Sequence, residues 1–223
     1  LSAHIPALRT IAIDAGHGGN DPGNQNRRLK LSEKVFTLDV ARRLQRLLVA
    51  QGYRVVLTRS ADRAVDLDQR TAIANRRRAD LFISIHFNAF SDASVAGTET
   101  FIMTPYRLPS SPQAERDRRM PQTHYPSNKH DAWNALLGYR IHRALTETLR
   151  SSDRGLKRFR YSVLRTIACP AVLVEAAFLS NPVEARKVMS AAYRQQIAEG
   201  IARGVRQYGV TLESARRKRG NSG

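Results

Sequence analysis

Two histidines, His17 and His86, each follow directly on a run of apolar residues. His17 stands in Ile13-Asp14-Ala15-Gly16-His17-Gly18-Gly19-Asn20-Asp21-Pro22-Gly23, where a strand-like run opens into a glycine-rich loop. Glycines let such a loop turn tightly and approach a ligand closely. The loop lacks both the Gly-Lys-Ser/Thr ending and the Gly-x-Gly-x-x-Gly spacing of phosphate cradles, which makes phosphate a weak reading. His86 stands in Ser84-Ile85-His86-Phe87-Asn88-Ala89. One such histidine can equally be a loop residue bonded to backbone. Two at the carboxyl ends of strands in one parallel sheet can converge, and paired imidazoles are natural zinc ligands. Glu175 lies in Val172-Leu173-Val174-Glu175-Ala176-Ala177-Phe178-Leu179-Ser180-Asn181, the most apolar stretch of the chain. A carboxylate there needs a metal, a cation or a hydrogen-bonded site, and one of the many arginines is the plain alternative. Glu33 opens a helical segment, where the helix dipole alone favours an acid.

These residues need rigid carriers. Residues 10–14, 53–58 and 81–86 read as buried strands. Residues 32–50 carry Val35, Leu38, Val40, Leu44, Leu47 and Leu48 near helical spacing, with Ser32 a plausible N-cap and Gly52 a stop. Residues 67–79 read as a shorter helix capped by Asp66. Strand–helix–strand–helix–strand predicts a parallel sheet, whose carboxyl ends are where open α/β folds place ligands. Further strands are expected at 97–103, 162–165 and 171–177, and helices at 132–150, 182–189 and 193–208. The whole is a single α/β domain over 10–209, a mostly parallel twisted sheet of about six strands flanked by helices. Residues 1–9 form a lead, and 210–223 a basic tail expected to be disordered. Residues 104–129 lack periodicity and read as a long surface excursion.

Composition narrows the classes. Lys and Arg number 37 against 19 Asp and Glu, a formal net charge of +18 that attracts polyanions, including an anionic cell wall. The arginines are scattered rather than gathered into a groove, which argues against nucleic acid. No apolar run approaches the roughly 18 residues of a membrane span. The lone Cys169 excludes an intramolecular disulfide and reads as a small core residue.

Asp14-x-Gly16-His17-Gly18-Gly19-x-Asp21-x-Gly23, Glu33 opening the next helix, Ser84-Ile85-His86-x-Asn88-Ala89 and Val174-Glu175-x-x-Phe178-Leu179-Ser180-Asn181 occur in this order. Together they resemble the zinc-dependent N-acetylmuramoyl-L-alanine amidases of the type 3 catalytic domain, from about Thr10 to Tyr208. The resemblance implies one Zn2+ held by His17, Glu33 and His86, with Glu175 as the catalytic carboxylate. It implies hydrolysis of the amide between N-acetylmuramoyl and L-alanine in peptidoglycan, in the periplasm or outside the cell. Zinc chemistry fits this division, since three protein ligands leave one open position for water. The expected partner is peptidoglycan, with no nucleic acid, no membrane span and a monomeric chain.

Some alternatives stay open. They are a non-catalytic wall-binding module of the same fold and a zinc peptidase or deacetylase acting on another amide. Asp14 and Asn88 are candidates either to orient an imidazole or to shape the loop. Ala15 and Ala177 stand where the family often has Pro and Gly. In some relatives an insertion at the place of 104–129 covers the zinc until an activator binds. Here Glu115 and Asp117 are the carboxylates such a plug offers, and the flanking prolines allow 113–120 at most two helical turns. Residues 104–129 therefore read either as a plug released by a protein activator or as a plain substrate-contacting loop. His142 is expected to be structural; His4, His124 and His130 have no motif.

Overall fold

The structure, a computed structural model, describes residues 7–111 and 123–220, with side chains described to 218. In chain order the elements begin with β1 (Thr10–Ala15), a short hairpin of β2 (Gln25–Asn26) and β3 (Leu31–Ser32), and α1 (Glu33–Ala50). β4 (Arg54–Leu57), α2 (Leu67–Arg76), β5 (Leu81–Asn88) and β6 (Thr98–Ile102) follow. A 3-10 turn (Pro126–His130) leads into α3 (Asp131–Leu149), β7 (Asp153–Arg158) and the one-turn α4 (Ser162–Arg165). β8 (Ala171–Phe178), α5 (Pro182–Met189) and α6 (Ala191–Gly220) complete the chain.

Six strands form one sheet in the order β4-β1-β5-β8-β6-β7. β4, β1, β5 and β8 run parallel, β6 is antiparallel to β8, and β7 is parallel to β6. This is the single α/β domain with a mostly parallel sheet that the apolar runs predict. Side chains alternate across the two faces. Ile11, Ile13, Ile83, Ile85, Val172 and Val174 join the large core with α1, α3 and α6. α1 contributes Phe36, Val40, Leu44 and Leu48, four apart and therefore on one stripe. The other face holds a smaller core of Ala12, Phe82, Phe101 and Leu173, covered by Ala74, Val163, Leu164 and Ile167. Past that core, the same face ends in Asp14, Ser84, His86, Glu175 and Glu99, in phase with it on their strands.

Three expectations are corrected. Residues 162–165 form the helical turn α4, which tucks Val163 and Leu164 under the sheet. The sixth strand is β7, whose sequence Asp-Arg-Gly-Leu-Lys-Arg has no apolar run because it lies at the edge and pairs only with β6. Charged residues are ordinary on such an edge. The segment beyond 209 is helical to Gly220, not a disordered tail. Its stripe Ile197, Ile201, Val205, Tyr208 continues to the buried Leu212, so burial carries the helix on.

Ser32 does occupy the cap position of α1, but its hydroxyl donates to the Pro22 carbonyl at 2.9 Å. The bond ties the helix start to the glycine-rich loop. No helix among the described residues is long and apolar enough to cross a membrane.

Candidate metal centre

β1 ends at Ala15, and the chain turns at once through three positive φ angles: His17 (62°), Gly18 (127°) and Gly19 (60°). His17 is a non-glycine residue in the left-handed region, a conformation that persists only where surroundings hold it. Arg70 provides part of that hold, donating to the Ala15 carbonyl at 2.7 Å and the His17 carbonyl at 2.8 Å. The turn aims the imidazole at the start of α1.

There Glu33 is fully buried and takes both histidines. Its Oε2 lies 3.1 Å from His17 Nε2, and its Oε1 lies 3.0 Å from His86 Nδ1. Backbone amides hold the carboxylate in place: Asn24 N donates to Oε2 at 2.7 Å and Phe87 N to Oε1 at 2.9 Å. The imidazoles meet edge to face with centroids 4.9 Å apart. One donor atom from each of His17, Glu33 and His86 lies within 4.8 Å of the others. Glycines make the room. A Cβ on Gly16 would sit 2.2 Å from His86 Cε1, and one on Gly23 would sit 2.6 Å from both Glu33 Oε2 and His17 Cδ2.

The donor set fits a divalent metal on its chemistry. Burial opposes ionisation of Glu33, but bonds and charge from His17 and His86 outweigh it and pull the carboxyl down to about 2. The same pairing, with Asp21, raises His17 against the opposing effect of burial. The buried anion therefore already collects positive charge, and ligand protons can exchange for a metal ion. His17 Nδ1 donates to Asp21 Oδ2 at 2.7 Å, which leaves Nε2 facing the cluster in the tautomer a ligand requires.

Glu175 stands one strand from His86, its direct register partner across β5 and β8. Its Oε2 is buried and has no hydrogen-bond partner among the described residues. Burial, then the charges of Glu33 and Glu99, raises its proton affinity well above the usual carboxylate range. The arginine partner that would make it a structural ion pair is therefore not found among the described residues. Both groups open on a cleft of roughly 500 Å3. Residues 64–67 and 161–163 contribute to its lining.

Two contributors escaped the sequence reading. Asp21 is one, although it stands four residues from His17 within the quoted motif. Glu99 is the other: it is the antiparallel register partner of Glu175 and is bonded to Lys157 Nζ at 2.6 Å and Arg154 Nε at 2.8 Å. Its phase with Phe101 and Met103 in the sequence was the available signal, since that face is buried.

Asp14 takes the loop-shaping role rather than orienting an imidazole. Thr58 Oγ1, Ser84 Oγ and Arg70 Nη1 all donate to it, at 2.7, 2.8 and 2.9 Å. Asn88 Nδ2 donates to Glu99 Oε2 at 3.2 Å. His142 is buried between Thr100 and Asp153, and His130 meets the Ala168 carbonyl at 2.9 Å, both away from the cluster. His124 stacks edgewise on Tyr106. Cys169 is buried, which pushes its thiol up and away from nucleophilic use. His4, Glu115, Asp117 and the 113–120 segment lie outside the described residues.

A family model described as N-acetylmuramoyl-L-alanine amidase matches residues 11–207. The N-acetylmuramoyl-L-alanine amidase AmiC of Neisseria meningitidis is 34% identical over 221 residues, covering 89% of this chain and 52% of that protein. The chain thus spans about half the length of this relative. The catalytic domain of CwlV, an amidase from Bacillus (Paenibacillus) polymyxa var. colistinus, superposes with a TM-score of 0.75 at 28% identity, covering 90% of this chain and 98% of that one. The CwlD amidase from Clostridioides difficile, solved in complex with the GerS lipoprotein, gives a TM-score of 0.74 at 28% identity, over 90% and 98% of the two chains. With its fold, its motif order and a family match over nearly its whole length, the chain belongs to the N-acetylmuramoyl-L-alanine amidases of the type 3 catalytic domain.

Proposed function

We propose that the chain hydrolyses the amide between N-acetylmuramoyl and L-alanine in peptidoglycan, with one zinc ion held by His17, Glu33 and His86. The observation that carries this reading is Glu175, whose buried Oε2 has no hydrogen-bond partner among the described residues, lining the same cleft as His17 and His86 of the three-donor cluster. When bound, zinc supplies Lewis-acid polarisation of the scissile carbonyl and acidifies water.

The chain's own groups do the rest. Glu175 accepts the proton of the attacking water and delivers it to the departing alanine nitrogen. Its raised proton affinity suits a group that must hold a proton between those events. Asp21 fixes the His17 tautomer, and Glu33 is fixed by the Asn24 and Phe87 amides. Residues 64–67 and 161–163 line the cleft and are the surfaces a substrate would meet. The substrate puts the site of action in the cell envelope, and the +18 charge favours residence on an anionic wall.

Digestion of purified peptidoglycan, with products identified by mass, tests the reading. Stem peptides with a free L-alanine amine are expected, abolished by a chelator and restored by zinc. Cleavage at another bond, or cleavage indifferent to chelation, contradicts it.

The proposal includes a protein activator acting on the 104–129 excursion. CwlD bound to a lipoprotein gives a precedent for a protein partner on this fold. The excursion begins anchored, with Ser111 N donating to the Arg158 carbonyl of β7 at 2.9 Å. Deleting 104–129 should raise the activity of the chain alone, and unchanged activity counts against a covering role.

A further inference from the structure

Arg59 lies two residues past the end of β4 and is among the largest fully buried side chains of the protein. A buried guanidinium is costly unless its donors are satisfied. Here four backbone carbonyls and one hydroxyl accept them. Nε donates to the Ala15 carbonyl at 2.9 Å and Nη1 to the Ala61 carbonyl at 3.2 Å. Nη2 donates to the Gly16 carbonyl at 2.9 Å, the Lys34 carbonyl at 2.8 Å and Thr37 Oγ1 at 3.0 Å.

These acceptors are neighbours of the metal-site residues. Gly16 immediately precedes His17, and its backbone passes directly beneath the His86 ring, where a Cβ would come within 2.2 Å. Lys34 immediately follows Glu33. Thr37 stands one helical turn on, and its hydroxyl reaches back to the Gly16 carbonyl at 2.8 Å. One planar fork therefore joins the His17 loop to the first turn of α1 across the floor of the His86 ring. Arg70 works on the other side of the loop, on Asp14 and the Ala15 and His17 carbonyls, and does not reach α1 in its hydrogen bonds.

We infer that Arg59, assisted by Thr37, is a positioning residue of the metal centre: it sets the separation of His17 and Glu33 by binding the backbone beside each, and holds the Gly16 backbone against which the His86 ring packs. The inference rests on the reading of these three side chains as zinc ligands. Arginine is needed rather than lysine because an ammonium on one nitrogen cannot reach four carbonyls that are served here from three nitrogens of a guanidinium fork.

Zinc affinity, measured by competition with a chromophoric chelator at a temperature far below unfolding, tests the role. Wild type, Arg59→Lys and Thr37→Val are compared, with thermal unfolding of each metal-free chain recorded beside them. Supporting residues of metal sites typically contribute ~10–100-fold in affinity, and Arg59→Lys should lose that much. Thr37→Val, which nearly keeps side-chain volume and removes both the bond to the Gly16 carbonyl and an acceptor of Arg59 Nη2, should lose at least roughly threefold, since one hydrogen bond contributes about 0.5–1 kcal/mol. A merely structural role would lower the melting temperature and leave the affinity of the folded chain unchanged. Wild-type affinity in folded Arg59→Lys overturns the inference. If Arg59→Lys does not fold, Thr37→Val decides alone: weaker zinc supports the role and unchanged zinc overturns it. A wild-type chain that takes no zinc while remaining folded overturns the ligand assignment itself, and the positioning role with it.

Discussion

Glu175→Gln is expected to lower turnover by roughly 100- to 10,000-fold, the usual contribution of a general acid–base group, while zinc stays bound. The substitution keeps the shape of a side chain packed in the middle of β8, so the fold has no cavity to absorb. It removes the role proposed for this residue, that of a buried oxygen able to take and return a proton. Glutamine also relieves a strained arrangement, because Glu175 sits in register beside Glu99 and feels Glu33 as well. The variant should therefore be at least as stable as the wild type, as read by thermal unfolding. Loss of zinc from Glu175→Gln, measured by metal analysis, would show that the division between ligands and base is wrong.

His86→Ala should lose metal and activity together. His86 reaches Glu33 from a central strand of the sheet through Nδ1, and it is one of the three residues of the donor cluster found among the described residues. Among the described residues, removing it leaves Glu33 Oε1 with the Phe87 amide alone. The affinity loss should exceed the ~10–100-fold typical of supporting residues, since a ligand itself is gone. Zinc titration of the metal-free variant beside the wild type checks this, and comparable affinity would remove His86 from the site. The contrast between the two variants is informative: one should separate binding from turnover, the other should not.

The residues of this site were legible because each stands at a point where the chain changes character. His17 and His86 end apolar runs, Glu175 interrupts one, and Glu33 begins a helix. Parallel strands buried on both faces write such runs plainly, which is also why β1, β5 and β8 were readable. What local pattern could not supply was partnership across the sheet. Glu99 meets Glu175 only because β6 turns antiparallel to β8, and no feature of Thr98-Glu99-Thr100 announces that pairing. Arg59 carries no local signal among the many arginines, although it is fully buried and bonded to the loop beside His17. β7 was missed for the converse reason: an edge strand needs backbone pairing rather than apolar side chains, and Asp-Arg-Gly-Leu-Lys-Arg offers only the former. The extension of α6 hid behind its charge. Leu212 continues the buried stripe by one more step, while the surrounding arginines read as a solvated tail.

The central claim is that His17, Glu33 and His86 form one zinc site beside Glu175. Its most direct test is a crystal of the chain grown with zinc and measured at the zinc absorption edge. A single strong anomalous peak enclosed by His17 Nε2, the Glu33 carboxylate and His86 Nδ1, with Glu175 beside it but not ligating, is the predicted result. A peak elsewhere, none at all, or one ligated by Glu175 in place of Glu33 would contradict the account.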